Sequence, residues 1–275
     1  MRDSAAAAWL RHFSLLIVVV VTLAPVLVTL LTSLKLPRDI LARSFVFQPT
    51  LRNYRELFTS SDFNQLTLNS LVASLGATFL IVVVSSLAAY SLSRFQWSRG
   101  VRTFVLGAFL LIQMLPPIVF AGPFYSISRS VGIYDSPLAL IMAYIVLQLP
   151  LATLILTEFF SNLPKELEEA AAIDGAGNLT TFLRIALPLV APGIATAALL
   201  TFNFNWNDFL FALTLTSTPE GMTIPVGIAG FAQDYQVKYG NMTAAAMFSA
   251  IPALLLVVFA QRYITKGITL GAVKG

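Results

Sequence analysis

Two short stretches hold most of the polar chemistry of this sequence. The first is FNFNWNDF, Phe202 to Phe209, set inside an otherwise apolar run. Three- and four-residue spacing places Asn203, Trp206 and Asn207 on one helical face, while Asn205 and Asp208 form a second pair three apart. Aromatic faces beside amides suit a sugar, with rings stacking on its C–H face and amides bonding its hydroxyls. The competing reading is hydrogen bonding between helices, about 0.6 kcal/mol per contact on average. So many polar groups in one turn exceed what helix association needs, and an ionisable group at membrane depth marks function by default. A pathway-lining role for Asn203, Asn205, Trp206, Asn207 and Asp208 is therefore favoured.

The second stretch is LEEAAAIDGAGNLTTFLRIALPLVAPG, Leu167 to Gly193. It is polar, acidic at one end and rich in small residues, yet apolar runs flank it. Pro164 suits the start of a short helix, and Glu166, Glu168 and Glu169 complement its positive end. Gly175 falls where a helix would end in a left-handed residue. Asn178 or Thr180 can cap a second helix carrying Phe182, Leu183 and Ile185. Pro188 and Pro192-Gly193 then redirect the chain. The segment predicts helix, tight turn, helix outside the bilayer. Its alanines at 170, 171 and 172 would let another backbone approach closely, so docking to a partner is weighed against a plain solvated connector.

Composition supplies the elements that must position these stretches. The 275-residue chain is 57% hydrophobic and 11% charged, with mean hydropathy +0.81. Soluble domains carry about 25% charged residues, so this is a membrane protein by composition. The absence of cysteine excludes disulfides and thiolate metal sites, and the single His12 has no second imidazole to work with. Uncharged apolar windows predict six spans: 13–34, 66–92, 103–124, 136–157, 187–213 and 242–260. The first is too long for a signal peptide and lacks a small-residue cleavage site, so it reads as retained. No composition shift marks a soluble domain, and residues 1–275 read as one transmembrane unit. With the N-terminus inside, ten of the 17 Lys and Arg residues fall on the cytoplasmic side. Five basic residues crowd the first outer loop, so charge favours that orientation only weakly.

Glu169-Ala170-Ala171, three residues, Gly175, nine residues, Ile185, one residue, Leu187-Pro188 resembles the EAA loop of bacterial ABC importer permeases, every position and spacing matching. LRNYRELF (51–58), NSL (69–71), AAYSLSRFQW (88–97), WNDFLFAL (206–213) and GITLGAVKG (267–275) are similar to the maltose-type, carbohydrate-uptake branch. The resemblance implies an all-α type I importer permease fold with six transmembrane helices and a cytoplasmic loop, 161–188, between spans four and five. It implies ATPase coupling through Glu169, Ala170, Ala171, Asp174, Gly175, Ile185, Leu187 and Pro188. Expected partners are a second homologous permease, an ABC ATPase dimer, an extracytoplasmic substrate-binding protein, a carbohydrate and membrane lipid, with no nucleic acid. The expected site is the inner membrane of a bacterium, both termini cytoplasmic.

No G-x-x-x-x-G-K-[ST] run is present, so ATP and Mg are expected on the partner ATPase and no cofactor on this chain. An ion-coupled secondary transporter is the alternative, but it calls for internal repeats and buried carboxylate or histidine relays, and only Asp208 is a clear candidate. A membrane enzyme lacks any nucleophile–base–orienter set. Gln113 and Gln148 lie near prolines at 116, 117 and 150, as parts of a gate or of a static kink. Leu51, Tyr54, Leu57 and Phe58 predict an amphipathic helix on the outer membrane surface, and the tail after Arg262 predicts a frayed end.

Overall fold

The computed structural model describes the backbone of residues 5–59, 61–232 and 237–271, and side chains over 9–59, 62–232 and 237–258. Every regular element among them is helical: α1 (Ala5–Ser33), α2 (Pro37–Leu41), α3 (Arg52–Thr59), α4 (Ser61–Arg94), α5 (Arg99–Met114), α6 (Ile118–Ser130) and α7 (Pro137–Ser161). There follow α8 (Glu166–Ile173), α9 (Asn178–Thr181), a π-type segment (Phe182–Ala186), α10 (Leu187–Leu189), α11 (Ala191–Trp206), α12 (Leu210–Leu215), α13 (Ile224–Gly230) and α14 (Tyr239–Gly271). Helices α1, α4, α7 and α14 are each long and apolar enough to cross a bilayer. Two bent pairs bring the candidate spans to six.

Those bent pairs give form to the bends that the prolines suggested: the windows 103–124 and 187–213 are each interrupted rather than one continuous helix. The third span divides into α5 and α6, bent by 100° across a short break. Pro116 and Pro117 sit in it, removing two successive N–H donors and fixing two φ angles. The fifth begins in the loop: the segment Asn178–Leu189 meets α11 at 75°, beside Pro188 and Pro192. It breaks again after Trp206, where no proline is present. There the Asp208 carboxylate accepts the N–H groups of Phe211 and Ala212 at 3.1 Å, offering the backbone an alternative to the helical ladder. At the other end of the chain α14 continues through Gly271, where a frayed tail was expected; Lys274 and the last residues lie outside the described chain.

Contacts group the chain into two compact units. One comprises 1–64 and 227–251. Its hub is Asn53 on α3, fully buried, donating from Nδ2 to the carbonyls of Ser33 (2.8 Å) and Lys35 (2.9 Å) at the end of α1. These carbonyls have no partner within the helix, so the amide serves as a C-terminal cap. Gly240 passes so close to Asn53 that a Cβ would lie 2.5 Å from Oδ1. Phe58, Phe63 and Phe248 meet edge to face. The expected surface stripe is thus corrected: α3 buries Asn53 and Leu57 in protein, while Leu51 precedes the helix and is exposed.

The other unit comprises 65–226 and 252–275. Small residues let its helices approach: Gly76 of α4 faces Ile141 of α7, and Gly193 of α11 faces the Phe159 ring of α7. Gln113 of α5 donates to the carbonyl of Leu147, three residues before Pro150, and Gln148 is buried. One turn holds the end of α12. Asp135, in the left-handed region at φ 61°, accepts from the N–H and hydroxyl groups of both Ser217 and Thr218, at 2.7–3.1 Å. Asn69 and Ser70 of α4 secure the same 216–224 stretch through Pro219, Met222 and Ile224.

Burial pushes the Asp135 carboxyl up, but its four hydrogen bonds outweigh that and hold it below the usual aspartate range. A depressed folded-state value contributes stability that is present above the unfolded value, about 3.9, and lost as pH falls through the folded one. Asn tolerates the left-handed backbone, so Asp135→Asn isolates the charge. It should cost about 1–2 kcal/mol at neutral pH, read as a lower melting temperature of the purified protein. The gap to wild type should close in acid, below about pH 3.9. Equal melting at neutral pH would count against the clasp.

Candidate functional site

The loop 161–188 stands on three helices. The α8 helix starts at Glu166, two residues later than Pro164 suggested, and Glu166, Glu168 and Glu169 fill its first turn. It ends as the glycine implied. Gly175 has φ 83°, its N–H bonds the Ala172 carbonyl at 3.1 Å, and the Ala176 N–H reaches back to Ala171 at 2.9 Å. This is the Schellman arrangement, in which a left-handed residue lets two late carbonyls find donors. The next helix departs from expectation: Gly177 occupies the cap and Asn178 is its first residue, with no side-chain cap bond.

Beyond α9 the chain turns inward. Phe182 is buried against Tyr90 of α4 (5.0 Å between centroids) and near Phe160 of α7 (6.2 Å). Ala186 and Val190 are buried too. The π-type turn at 182–186 inserts one extra residue per turn, a feature frequent at functional sites. Ile185 and Leu187 are half-buried and Pro188 is exposed, so this end of the motif mainly anchors the loop.

The outer face of the loop is different. Glu169, Ala170, Ala172, Asp174 and Gly175 are exposed, and among the described residues nothing beyond its chain neighbours lies within 4 Å of a Cβ built on Gly175. Of the three alanines only Ala171 is turned inward, which corrects the reading of all three as surface. Ile173 is 86% exposed and Leu179 66% exposed. Large aliphatic side chains beside carboxylates, outside the long apolar spans, form a surface that a partner could cover.

Sequence spacing could not show Arg94. This last residue of α4 pairs with Glu168 at 2.8 Å and donates from Nη2 to the Leu163 carbonyl at 2.9 Å. In the sequence it stands out as a charge at the end of an apolar run and as part of the AAYSLSRFQW stretch (88–97), neither of which points to Glu168.

The polar stretch of the fifth span is divided by its fold. Asn203 and Asn207 are exposed and linked, the Asn207 amide donating to the Asn203 carbonyl (2.7 Å) and Oδ1 (3.1 Å). Trp206 turns inward, stacked on Phe202 at 5.6 Å. Asn205 is buried and donates to Thr78 Oγ1 of α4 at 3.3 Å, its own Oδ1 finding no partner among the described residues. Asp208 caps α12 and accepts from the Tyr144 hydroxyl of α7 at 3.0 Å. The exposed rings beside the amides are those of Phe204 and Phe209. Among the described residues no three His, Cys, Asp or Glu side chains converge as a metal site would require.

A family model described as "Binding-protein-dependent transport system inner membrane component" matches residues 81–270. The trehalose transport system permease protein SugB of Mycobacterium tuberculosis is 40% identical over 228 residues, 82% of each chain. The sulfoquinovosyl glycerol transport system permease protein SmoH of Agrobacterium fabrum is 34% identical over 269 residues, 97% of this chain and 94% of that one. Among solved structures, a bacterial ABC transporter involved in import of the acidic polysaccharide alginate superposes with a TM-score of 0.81 at 19% identity. That match covers 96% of this chain and 99% of the other. At this identity the likeness establishes the fold.

Proposed function

We propose a function from one premise: this chain belongs to the family of binding-protein-dependent transport system inner membrane components. It is a multi-pass permease subunit of an ABC importer, and it is not an enzyme. Its cargo is a carbohydrate, a class supported by relatives named for transport of trehalose and sulfoquinovosyl glycerol. The chain forms half of the pathway, beside a second homologous permease. Two copies of an ATPase bind ATP and Mg, and an extracytoplasmic protein delivers the substrate. Both termini and the loop 161–188 lie in the cytoplasm. ATP binding closes the ATPase dimer, the loop moves with it, and the spans open outward; hydrolysis returns them inward.

The observation that carries the pathway assignment is the exposed stripe of Leu200, Asn203, Phe204 and Asn207 where α11 breaks off. Amides alternate there with an aromatic ring, and the neighbouring carboxylate of Asp208 is occupied within the chain. Asn205, Trp206 and Asp208 therefore position the stripe, while Asn203 and Asn207 meet the cargo.

Uptake of radiolabelled sugars by the reconstituted four-part complex tests this reading. Asn203→Ala or Asn207→Ala should lower uptake about tenfold, the equivalent of one hydrogen bond of about 1.5 kcal/mol, with assembly and basal hydrolysis retained. Trp206→Ala and Asp208→Asn should instead reduce the amount of assembled complex. Parallel loss of assembly and uptake in Asn207→Ala would place that residue in packing. Uptake by the single purified chain in ion-loaded vesicles would point to a secondary transporter.

A further inference from the structure

We propose that the Arg94–Glu168 pair is a strut that makes α4 move with α8, so that a push on the cytoplasmic loop reaches the second span directly. This rests on the loop being the contact with the ATPase, and it adds a load path that chain connectivity does not supply. Along the chain, α8 is joined to α7 through residues 162–165 and to α11 through residues 174–190. Helix α4 is remote in sequence and must be recruited by contacts.

One guanidinium makes that connection at two points. Nε holds the Glu168 carboxylate in the first turn of α8, and Nη2 holds the Leu163 carbonyl just beyond α7. The two side chains are 6% and 19% exposed, so the pair is largely withdrawn from water. Exposed ion pairs fluctuate and are screened by salt, whereas breaking a buried one leaves a charge without compensation. Displacement of α8 alone would strand both groups, so the low-energy response is for the elements to move together. Beside this pair, Ser93 donates to the Thr157 carbonyl at 3.2 Å, and Tyr90 packs on Phe160 and Phe182. The adjacent acids of α8 thus divide their work: Glu169 faces outward and Glu168 faces the strut. Arg94 and Glu168 are positioning residues, touching neither nucleotide nor cargo.

The test uses the reconstituted complex, reading ATPase capture, hydrolysis and cargo carried per ATP. Glu168→Gln keeps shape and an acceptor but removes the counter-charge. ATPase capture and hydrolysis should persist while cargo per ATP falls about tenfold, within the 5–150-fold range usual for coupling between sites. Exchanging the charges, Arg94→Glu with Glu168→Arg, should recover much of that ratio. A purely structural role would lower the amount of complex and leave cargo per ATP unchanged. The chain has no cysteine, so spin labels at introduced cysteines replacing Leu87 and Leu179 report the α4–loop distance in an otherwise wild-type protein. That distance should stay within its own width between nucleotide-free and ATP-trapped states. A changed distance, or an unchanged cargo ratio in Glu168→Gln, overturns the strut. The docking reading itself fails on different variants, Glu169→Lys and Gly175→Leu, if these capture ATPase and transport as wild type does.

Discussion

Gly175→Leu should yield a permease that inserts into the membrane yet binds its ATPase poorly or hydrolyses ATP without transport. The residue sits at φ 83°, where a side chain costs about 1–2 kcal/mol. Open space surrounds its Cβ position, so against the described residues the penalty is backbone strain alone. Anything larger must come from a partner that packs against the glycine. Comparison with Gly175→Asn separates the two causes, because asparagine tolerates the left-handed region. If strain decides, the asparagine variant should couple far better than the leucine one. If close approach decides, both should fail alike. Glu169→Lys should act in the same direction, reversing a charge worth about 0.3–1 kcal/mol at the α8 N-terminus and exposed to the partner. Uptake in matched membranes should fall about tenfold or more for Gly175→Leu. Wild-type ATPase capture together with wild-type uptake in both variants would reduce the loop to an ordinary connector.

Gly193→Val should damage the permease itself. A Cβ on Gly193 would lie 2.4 Å from Cγ of Phe159 and within 2.8 Å of two further ring atoms. Cγ is the root of the ring, so rotating the far end does not relieve the contact, and α7 and α11 must separate. Overpacking of this kind costs about 1–3 kcal/mol, and it falls where the fifth span bends by 75°. The amount of detergent-stable permease and its melting temperature should both drop. Phe159→Ala opens the required space, so the double variant should be much less impaired than the two single effects added together. Strict additivity, or wild-type melting of Gly193→Val, would show that the helices have slack at this crossing.

Features set by local chemistry were legible in the residues alone. Long uncharged runs must bury their backbone in helices within lipid, so six spans could be placed from hydropathy. Gly175 after an alanine-rich turn announced a left-handed helix end because nothing else relieves that conformation as cheaply, and φ there is 83°. Features that depend on which helix lies beside which were not legible. Helical periodicity grouped Trp206 with Asn203 and Asn207, but it carries no information about which side faces a neighbour. Packing turned Trp206 onto Phe202 and left the two amides exposed. Prolines suggested bends without their angles, and the break at Asp208 arose from a carboxylate capturing backbone N–H groups. Arg94 and Glu168 lie 74 positions apart, as Asp135 and Ser217 lie 82 apart. No spacing rule reaches that far, because such pairs form only when tertiary packing brings distant helix ends together and removes the water between them.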